Sequence, residues 1–523
     1  MTQQNQPSSL DREDFGIATL VLAASVAIYF HTAAPGLLPG DGGEFQVLGN
    51  LVGHAHTTGY WTYILLARLW AYLPLGTPAL CITLFSGLMG AVAMSCLYLA
   101  GRLATDDRWA AAIAAAVVAT SKTIWSQAVI AEVYTAGAAF AGAVLVLLLQ
   151  WRAKRRPGYL LAAGVVGGLG LGAHGTVLLL APAAAVFVLA CQPDWRRDLP
   201  AALAGGVLGL LLLFGAFCLV DAVDSPHSMI QIAYAPAHSA WGVAEGVLDR
   251  PIGRFWFLLS GCQWRSAMFA DPAAIMPRNA VAYGGALLRD LGVVGLALTG
   301  VGAIALLSRS WRVALLVALG YAVQMLYTLN YSIGDIHVFF VNAQLYAGVG
   351  LTAGIAVSIR ALRKRLPGRQ SFVTLLTSGL LLVTILLTRG TPAPWRLLGN
   401  AKAPHELTGV PTVEETERWH ASISATVSAL EPDALVLLDW YHLYPFVYVA
   451  NLEQGRTDLR FAEPMPYSPR SGMADSMRSY LVRMARERPI YANQSLSALC
   501  EPLFEVSSQQ VGSMQLYRYR LVE

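Results

Sequence analysis

The chain has 523 residues, 55% of them hydrophobic and only 13% charged, with a formal net charge of +4. Soluble domains carry roughly 25% charged residues, so a soluble globular protein is excluded and a polytopic membrane protein is expected. The small positive balance is concentrated in short loops, which suits the orientation of membrane spans and not nucleic-acid binding.

A bilayer-crossing helix needs about 20 apolar residues. In chain order, runs approaching that length lie near Phe15–Ala33, Ala79–Ala104, Trp109–Trp125, Ile130–Gln150, Gly158–Ala173, Thr176–Cys191, Leu199–Val220, Leu291–Leu307, Val313–Leu329, Val338–Ser358 and Ser371–Leu387. The first follows an acidic stretch, Asp11–Asp14, and no small-residue cleavage site ends it, so it reads as a retained span. Arg102/Arg108, Arg152–Arg156, Arg196/Arg197, Arg309/Arg312 and Arg360–Arg369 fall in alternate loops. The positive-inside rule makes those loops cytoplasmic and puts the C-terminal segment outside. The predicted architecture is a polytopic α-helical membrane protein of about 11 transmembrane helices. A multi-span domain is expected over 1–390, with outer loops 34–78 and 221–290, and a small extracytoplasmic α/β domain over 391–523.

The outer segments hold the chemistry. In Pro39-Gly-Asp41-Gly-Gly-Glu44 the glycines permit close approach of a ligand, and the two acids share one face of a helical turn. Such a pair either separates its pKa values for acid–base work or caps a helix, with Asp41 at the N-cap and Glu44 at N3. His54-Ala-His56-Thr-Thr-Gly-Tyr60 follows. No third ligand stands near the two His, so hydrogen bonding to substrate or to Asp41 is expected in place of metal binding. Gly59–Leu73 reads as an amphipathic aromatic helix at headgroup level. Glu132 and Tyr134, His174, and Asp335 stand at the outer ends of later spans, where ionisable groups mark functional sites by default. Capping and macrodipole roles are their alternatives. Arg254 and Arg265 in the second outer loop have the fork that recognises phosphate, although interfacial Arg also anchors ordinary loops. Six Cys show no metal-like spacing, and Cys262 and Cys500, both in outer segments, are the candidates for a pair. In the tail, Ala434–Leu438 reads as a buried strand and Thr412–Leu430 as a helix started by Thr412 or Glu414.

Taken in order, Asp41-Gly-Gly-Glu44, Ala55-His56-x-x-Gly59-Tyr60, Trp125-Ser-Gln-x-x-x-Ala-Glu132-Val-Tyr134 and Gly334-Asp335-x-x-Val-Phe-Phe340 resemble the DUF2723 family of GT-C-type membrane glycosyltransferases, which includes a group of protein O-mannosyltransferases. The resemblance runs from about Pro35 to Leu351. It extends to the tail through Leu435-Val-Leu-Leu-Asp439, Gly455-Arg-Thr-Asp458-Leu-Arg460 and Arg488-Pro-Ile-Tyr491. The family's usual Asp-Ser-Gly-Glu reads Asp41-Gly-Gly-Glu44 here, and its Ala-His-Pro-Pro-Gly-Tyr reads Ala55-His56-Thr-Thr-Gly59-Tyr60.

The resemblance implies a GT-C-like fold and a sugar, mannose first, carried on a polyprenyl phosphate and moved with inversion to a hydroxyl of an extracytoplasmic protein or glycan. It implies Asp41 as general base with Glu44 next in line. The residues expected to bind substrate are His54, His56, Tyr60, Glu132, Tyr134, His174, Asp335, Arg254 and Arg265. No cofactor is expected, since the lipid-linked sugar is a substrate; no residue is assigned as a metal ligand, and dependence on a divalent metal is left open. The expected setting is a bacterial plasma membrane with the active face outward. The competing reading is a secondary transporter or lipid-linked saccharide flippase. Transporters show internal repeats and mid-membrane charges, whereas these acids sit at span ends.

Overall fold

A computed structural model describes residues 9–365, 370–390, 394–398, 400, 402–465, 472–496 and 503–522. Eight helices among them are long and apolar enough to cross a bilayer: Arg12–His31, Pro78–Thr105, Tyr134–Lys154, Asp198–Asp221, Pro272–Arg309, Trp311–Leu329, Ile336–Arg365 and Ser371–Thr388. The other three expected spans fall on shorter apolar helices, Arg108–Ala119, Gly158–Leu171 and Gly175–Ala190. Local capping chemistry cuts them short. Ser121 accepts a hydrogen bond from the Ile124 N–H and starts a new helix just past Ala119, and the His174 ring accepts from the Thr176 N–H at the next break. Helix Pro272–Arg309 begins well before the expected outer loop ends at 290. It is broken at Gly292, whose φ of 66° and ψ of 175° are not helical.

By internal contacts the chain divides into two compact units. The first comprises Met1–Ala33, Ser86–Phe214 and Ser266–Thr408, and the second Ala34–Phe85, Gly215–Arg265 and Gly409–Glu523. Most of each expected outer segment belongs to the second unit. The tail therefore packs with the first and second outer loops, a grouping that a linear cut at 390 does not express.

In the tail, helix Val413–Ala429 starts at Thr412 through a capping box with Glu415. A five-stranded sheet follows: β1 Leu435–Leu437, β2 Arg460–Ala462, β3 Ile490–Ala492, β4 Phe504–Val511 and β5 Met514–Leu521, in the spatial order β2-β1-β3-β5-β4. β1 runs parallel to both β2 and β3, while β5 is antiparallel to β3 and β4. β1 and β3 are buried throughout, as the uninterrupted apolar run Ala434–Leu438 requires of a central parallel strand. Leu435, Leu437, Ile490, Met477 and Leu481 join one hydrophobic cluster. Each such side chain contributes about 1.5–3 kcal/mol on burial.

Candidate functional site

The site grows from helix Gly40–Leu51. Its N-cap is Pro39, which makes no side-chain capping bond, and Gly40 has φ 58°. Asp41 is thus inside the first turn, and the alternative in which it caps the helix is not what forms. Its Oδ1 accepts a hydrogen bond from the Trp440 indole Nε1 at 2.6 Å. One turn later Glu44 has no exposed surface. The chain reverses through Val52, leaves the helix, and re-enters another, Trp61–Trp70, at Tyr60, whose φ is 46°. This second helix is the expected aromatic one, with Trp61 and Tyr63 buried and Leu69 exposed.

The loop between the two helices brings His56 over Glu44. Glu44 Oε1 accepts from the His56 backbone N–H at 2.8 Å, and Oε2 lies 2.5 Å from His56 Nδ1. With Nδ1 turned to Glu44, Nε2 faces outward, 3.9 Å from Asp41 Oδ2 and 3.4 Å from the Tyr60 hydroxyl. The result is a carboxylate–imidazole–carboxylate line. Its inner acid is sealed, while the outer acid keeps 34% of its side chain exposed. Tyr60 and Trp440 pack edge-on against the imidazole, with ring centroids at 5.0 and 5.9 Å. Burial raises the Glu44 pKa above the ordinary carboxylate value, and Asp41 adds to that, while the His56 ring opposes it.

His54 and Arg254 are committed differently. Trp61 Nε1 donates to His54 Nδ1 at 3.0 Å, and His54 Nε2 bonds Asp221 Oδ1 at 2.8 Å. Arg254 grips the same carboxylate with Nε at 2.6 Å and Nη2 at 2.8 Å, and its Nη1 donates to the Leu248 carbonyl. The cavity beside this triad is about 10 Å³, room for one water at most. Both ring nitrogens of His54 are therefore used within the protein, and the triad braces the His56 loop. Burial lowers the His54 pKa, with Asp221 opposing. Arg265 is exposed, in the 3-10 turn Cys262–Ala267. Gln263 in that turn accepts from the Tyr234 hydroxyl at 2.6 Å and from Thr57 Oγ1 at 3.4 Å, which holds the turn beside the residue following His56. Cys500, the expected partner of Cys262, lies outside the described residues.

The remaining expected residues belong to the first unit. Glu132 is buried, and its backbone N–H donates to Ser86 Oγ, at the foot of helix Tyr134–Lys154. The Tyr134 and His174 rings lie 4.9 Å apart, and each packs on Phe339. His174 Nδ1 bonds Thr176 Oγ1 at 2.7 Å. Asp335 is exposed and precedes the 3-10 turn Ile336–Phe339 without capping it. The same unit contains an apolar cavity of about 640 Å³ whose lining includes Leu287, Leu291, Leu307, Trp311, Tyr321 and Tyr346.

Two participants carry no local sequence signal. Trp440 reaches Asp41 across 399 residues of chain. Glu463 follows β2, is buried, and has its pKa pushed up to about 8 by burial first and then by the charges of Glu44, Asp439 and Asp41. The clue available in the sequence is the Leu435–Asp439 run, because side chains just past the end of a buried parallel strand line sites. Among the described residues no three His, Cys, Asp or Glu side chains come together as a metal-holding group.

Residues 41–196 match the family described as Protein O-mannosyl-transferase TMEM260 N-terminal domain. The chain is 33% identical over 135 residues to Protein O-mannosyl-transferase TMEM260 of Mus musculus, a stretch covering 25% of this chain and 19% of that relative. The chain thus spans about a fifth of the length of the curated relatives it matches. Among solved structures, ArnT from Cupriavidus metallidurans bound to undecaprenyl phosphate superposes with a TM-score of 0.58 at 13% identity, over 97% of this chain and 98% of that one. The oligosaccharyltransferase AglB from Archaeoglobus fulgidus, in complex with an inhibitory peptide and a dolichol-phosphate, superposes with a TM-score of 0.53 at 13% identity, over 98% of this chain and 74% of that one. At such identity the likeness is one of fold, and the fold of this chain is the GT-C type.

Proposed function

We propose that this chain is an inverting membrane glycosyltransferase that moves a sugar, mannose first, from a polyprenyl-phosphate donor to a hydroxyl of an extracytoplasmic protein or glycan. The observation that carries the reading is the Asp41–His56–Glu44 line, sealed at one end and open at Asp41. An acceptor hydroxyl has a high pKa and needs a base as it attacks. Asp41 is the reachable carboxylate and takes that proton. As the acceptor oxygen bonds the anomeric carbon, the bond from that carbon to the phosphate oxygen breaks, and the phosphate leaves with the electron pair. Glu44, without exposed surface, is a positioning residue that fixes the ring through which it faces Asp41. Trp440 holds the other carboxylate oxygen.

The departing lipid phosphate gains negative charge and is stabilised by a cation. Arg265 fits that role better than Arg254, whose fork is already closed on Asp221. The apolar cavity of the first unit suits a polyprenyl tail. Tyr60 is a proposed substrate contact of the second unit, and Glu132, Tyr134, His174 and Asp335 are proposed substrate-binding residues of the first. The solved structures of similar fold support a lipid-phosphate donor, and the resemblance to O-mannosyl-transferases supports mannose. The chain would work in a plasma membrane, its second unit on the extracytoplasmic face.

The test is transfer by purified protein in detergent, with radiolabelled polyprenyl-phosphate mannose or glucose and an extract of outer-face proteins. Wild type is expected to form product, and Asp41→Asn to lose about 10²–10⁴-fold in rate, the usual contribution of a general base. Glu44→Gln is expected to lower kcat with little change in KM. Undiminished transfer by folded Asp41→Asn would remove the base assignment.

A further inference from the structure

A second cavity, about 140 Å³, opens in the tail sheet. Its lining comes from the carboxyl ends of three parallel strands: Leu437, Asp439 and Trp440 at the end of β1, Glu463, Pro464 and Met465 after β2, and Ala492, Asn493, Gln494 and Leu496 at the end of β3. The order β2-β1-β3 means that the chain leaves β1 for one neighbour and returns to the other side. In open α/β sheets ligands bind outside the carboxyl ends of the strands at such a reversal. The cavity is in the place where that rule puts a site.

Its chemistry narrows the ligand. Among the described residues the lining has two acids and two amides, and no Lys, Arg or His. A phosphate or carboxylate would therefore meet no cation and two carboxyl groups. Asp439 is held in place by Asn493 Nδ2 at 2.7 Å, Gln494 Nε2 at 2.8 Å and His442 Nδ1 at 2.9 Å, and these contacts keep it ionised against the effect of burial. Glu463 is nine-tenths buried, and among the described residues its carboxyl makes no hydrogen bond. Its carboxyl lines the cavity, where a ligand or water can bond to it. Burial pushes its pKa up to about 8, which favours the protonated form that both donates and accepts, as sugar hydroxyls require. Leu437, Pro464, Met465 and the Trp440 ring supply an apolar wall. An apolar cavity of comparable volume, about 150 Å³, accepts benzene, so the space suits one six-membered ring.

We propose that this cavity binds a single neutral pyranose, with Glu463 and Asp439 contacting its hydroxyls and Trp440 forming the wall it shares with Asp41. The site deepens the glycosyltransferase reading and rests on it for its role, but its occupancy is measurable without transfer. Trp440 ties the cavity to Asp41, because its Nε1 donates to Asp41 Oδ1. The pyranose belongs either to the donor or to a sugar already on the acceptor, and the chemistry of recognition is the same.

The test uses the full chain in detergent with a diazirine-bearing methyl α-mannopyranoside and its gluco counterpart. Photolabelling followed by peptide mapping is expected to mark the segment 463–465 or Trp440, in competition with unlabelled glycoside. Labelling confined to other segments, or no competable labelling with either sugar, would overturn the proposal. By saturation-transfer NMR, Glu463→Leu is expected to weaken glycoside binding roughly tenfold. Glu463→Gln, isosteric with the protonated acid, is expected to retain it. Equal binding by wild type and folded Glu463→Leu would also overturn the proposal. If Glu463→Leu does not fold, the labelling map on wild type decides. Where transfer is measurable, a rise in KM for the lipid-linked donor assigns the ring to the donor, and a rise in KM for the acceptor assigns it there. A wild type that binds and labels but transfers nothing would leave this site standing and remove the glycosyltransferase reading.

Discussion

Glu44 and Asp41 are three residues apart, carry the same functional group, and have different surroundings. Glu44 is enclosed and spends both oxygens on one histidine, whereas Asp41 keeps an edge in solvent. Spacing announces that the two acids share a helix face, but the partner that distinguishes them, Trp440, is legible only in three dimensions. Glu463 is the residue with the most direct pH consequence. Its carboxyl ionises near 4.5 when exposed and near 8 in the folded protein, under the influence of burial, Glu44, Asp439, Asp41 and His56. The folded state therefore keeps a proton that the unfolded chain releases, and stability falls as pH rises between those values, then levels off. His227, lowered to about 4 by burial, gives the opposite slope, but only below its ordinary value of 6.5. Glu44, whose pKa burial also raises, gives a slope of the same sign, so the difference between wild type and a Glu463 variant is what reports Glu463, at up to about 1.4 kcal/mol per pH unit. The unfolding temperature of detergent-solubilised wild type is expected to drop between pH 6.5 and 8, and that of Glu463→Gln to drop less steeply. Equal slopes would mean that Glu463 is ionised in the folded state.

At the scale of elements, helix Gly40–Leu51 is fixed by close approach at its start. A Cβ on Gly43 would lie 2.4 Å from the Leu38 carbonyl oxygen and 3.1 Å from Pro445 Cδ. Backbone cannot yield as a side chain does, so Gly43→Ala is expected to cost about 1–3 kcal/mol, the usual range for overpacking. It would displace Asp41 from Trp440. Scanning fluorimetry and the transfer assay check both effects, and an unchanged melting temperature would show that the helix has slack. Elements governed by local rules were legible. Thr412 with Glu415 set the start of helix Val413–Ala429, and the unbroken apolar run at Ala434 fixed β1. The alternative of an Asp41 cap is not realised because Pro39 and Gly40 already turn the chain into the helix. That leaves the carboxylate to a distant indole.

On the scale of the chain, hydropathy located the long apolar helices among the described residues, apart from the first half of Pro272–Arg309, since membrane burial is a property of composition averaged over about 20 residues. The assembly of Ala34–Phe85, Gly215–Arg265 and Gly409–Glu523 into one unit was not legible, because no local pattern encodes which outer segments meet. A consequence is testable. Truncation after residue 408 is expected to abolish transfer and to open the segment 34–85 to limited proteolysis, since Pro445 and Trp440 pack on its first helix. A truncated chain in which that segment stayed protease-resistant would show that the tail is dispensable for it.

The bond between Trp440 and Asp41 also has a meaning in time. At roughly 5–20 residues per second of synthesis, the 399 residues between them take roughly 20–80 s to be made. During that interval the acid near the start of the chain exists without the indole that orients it. Fragments released early contain Asp41, Glu44 and His56, yet lack the final piece. The pairing of Asp41 with its indole thus forms only after residue 440 has been made, and under the proposed function an inserted chain that stops short of it is expected to be inert.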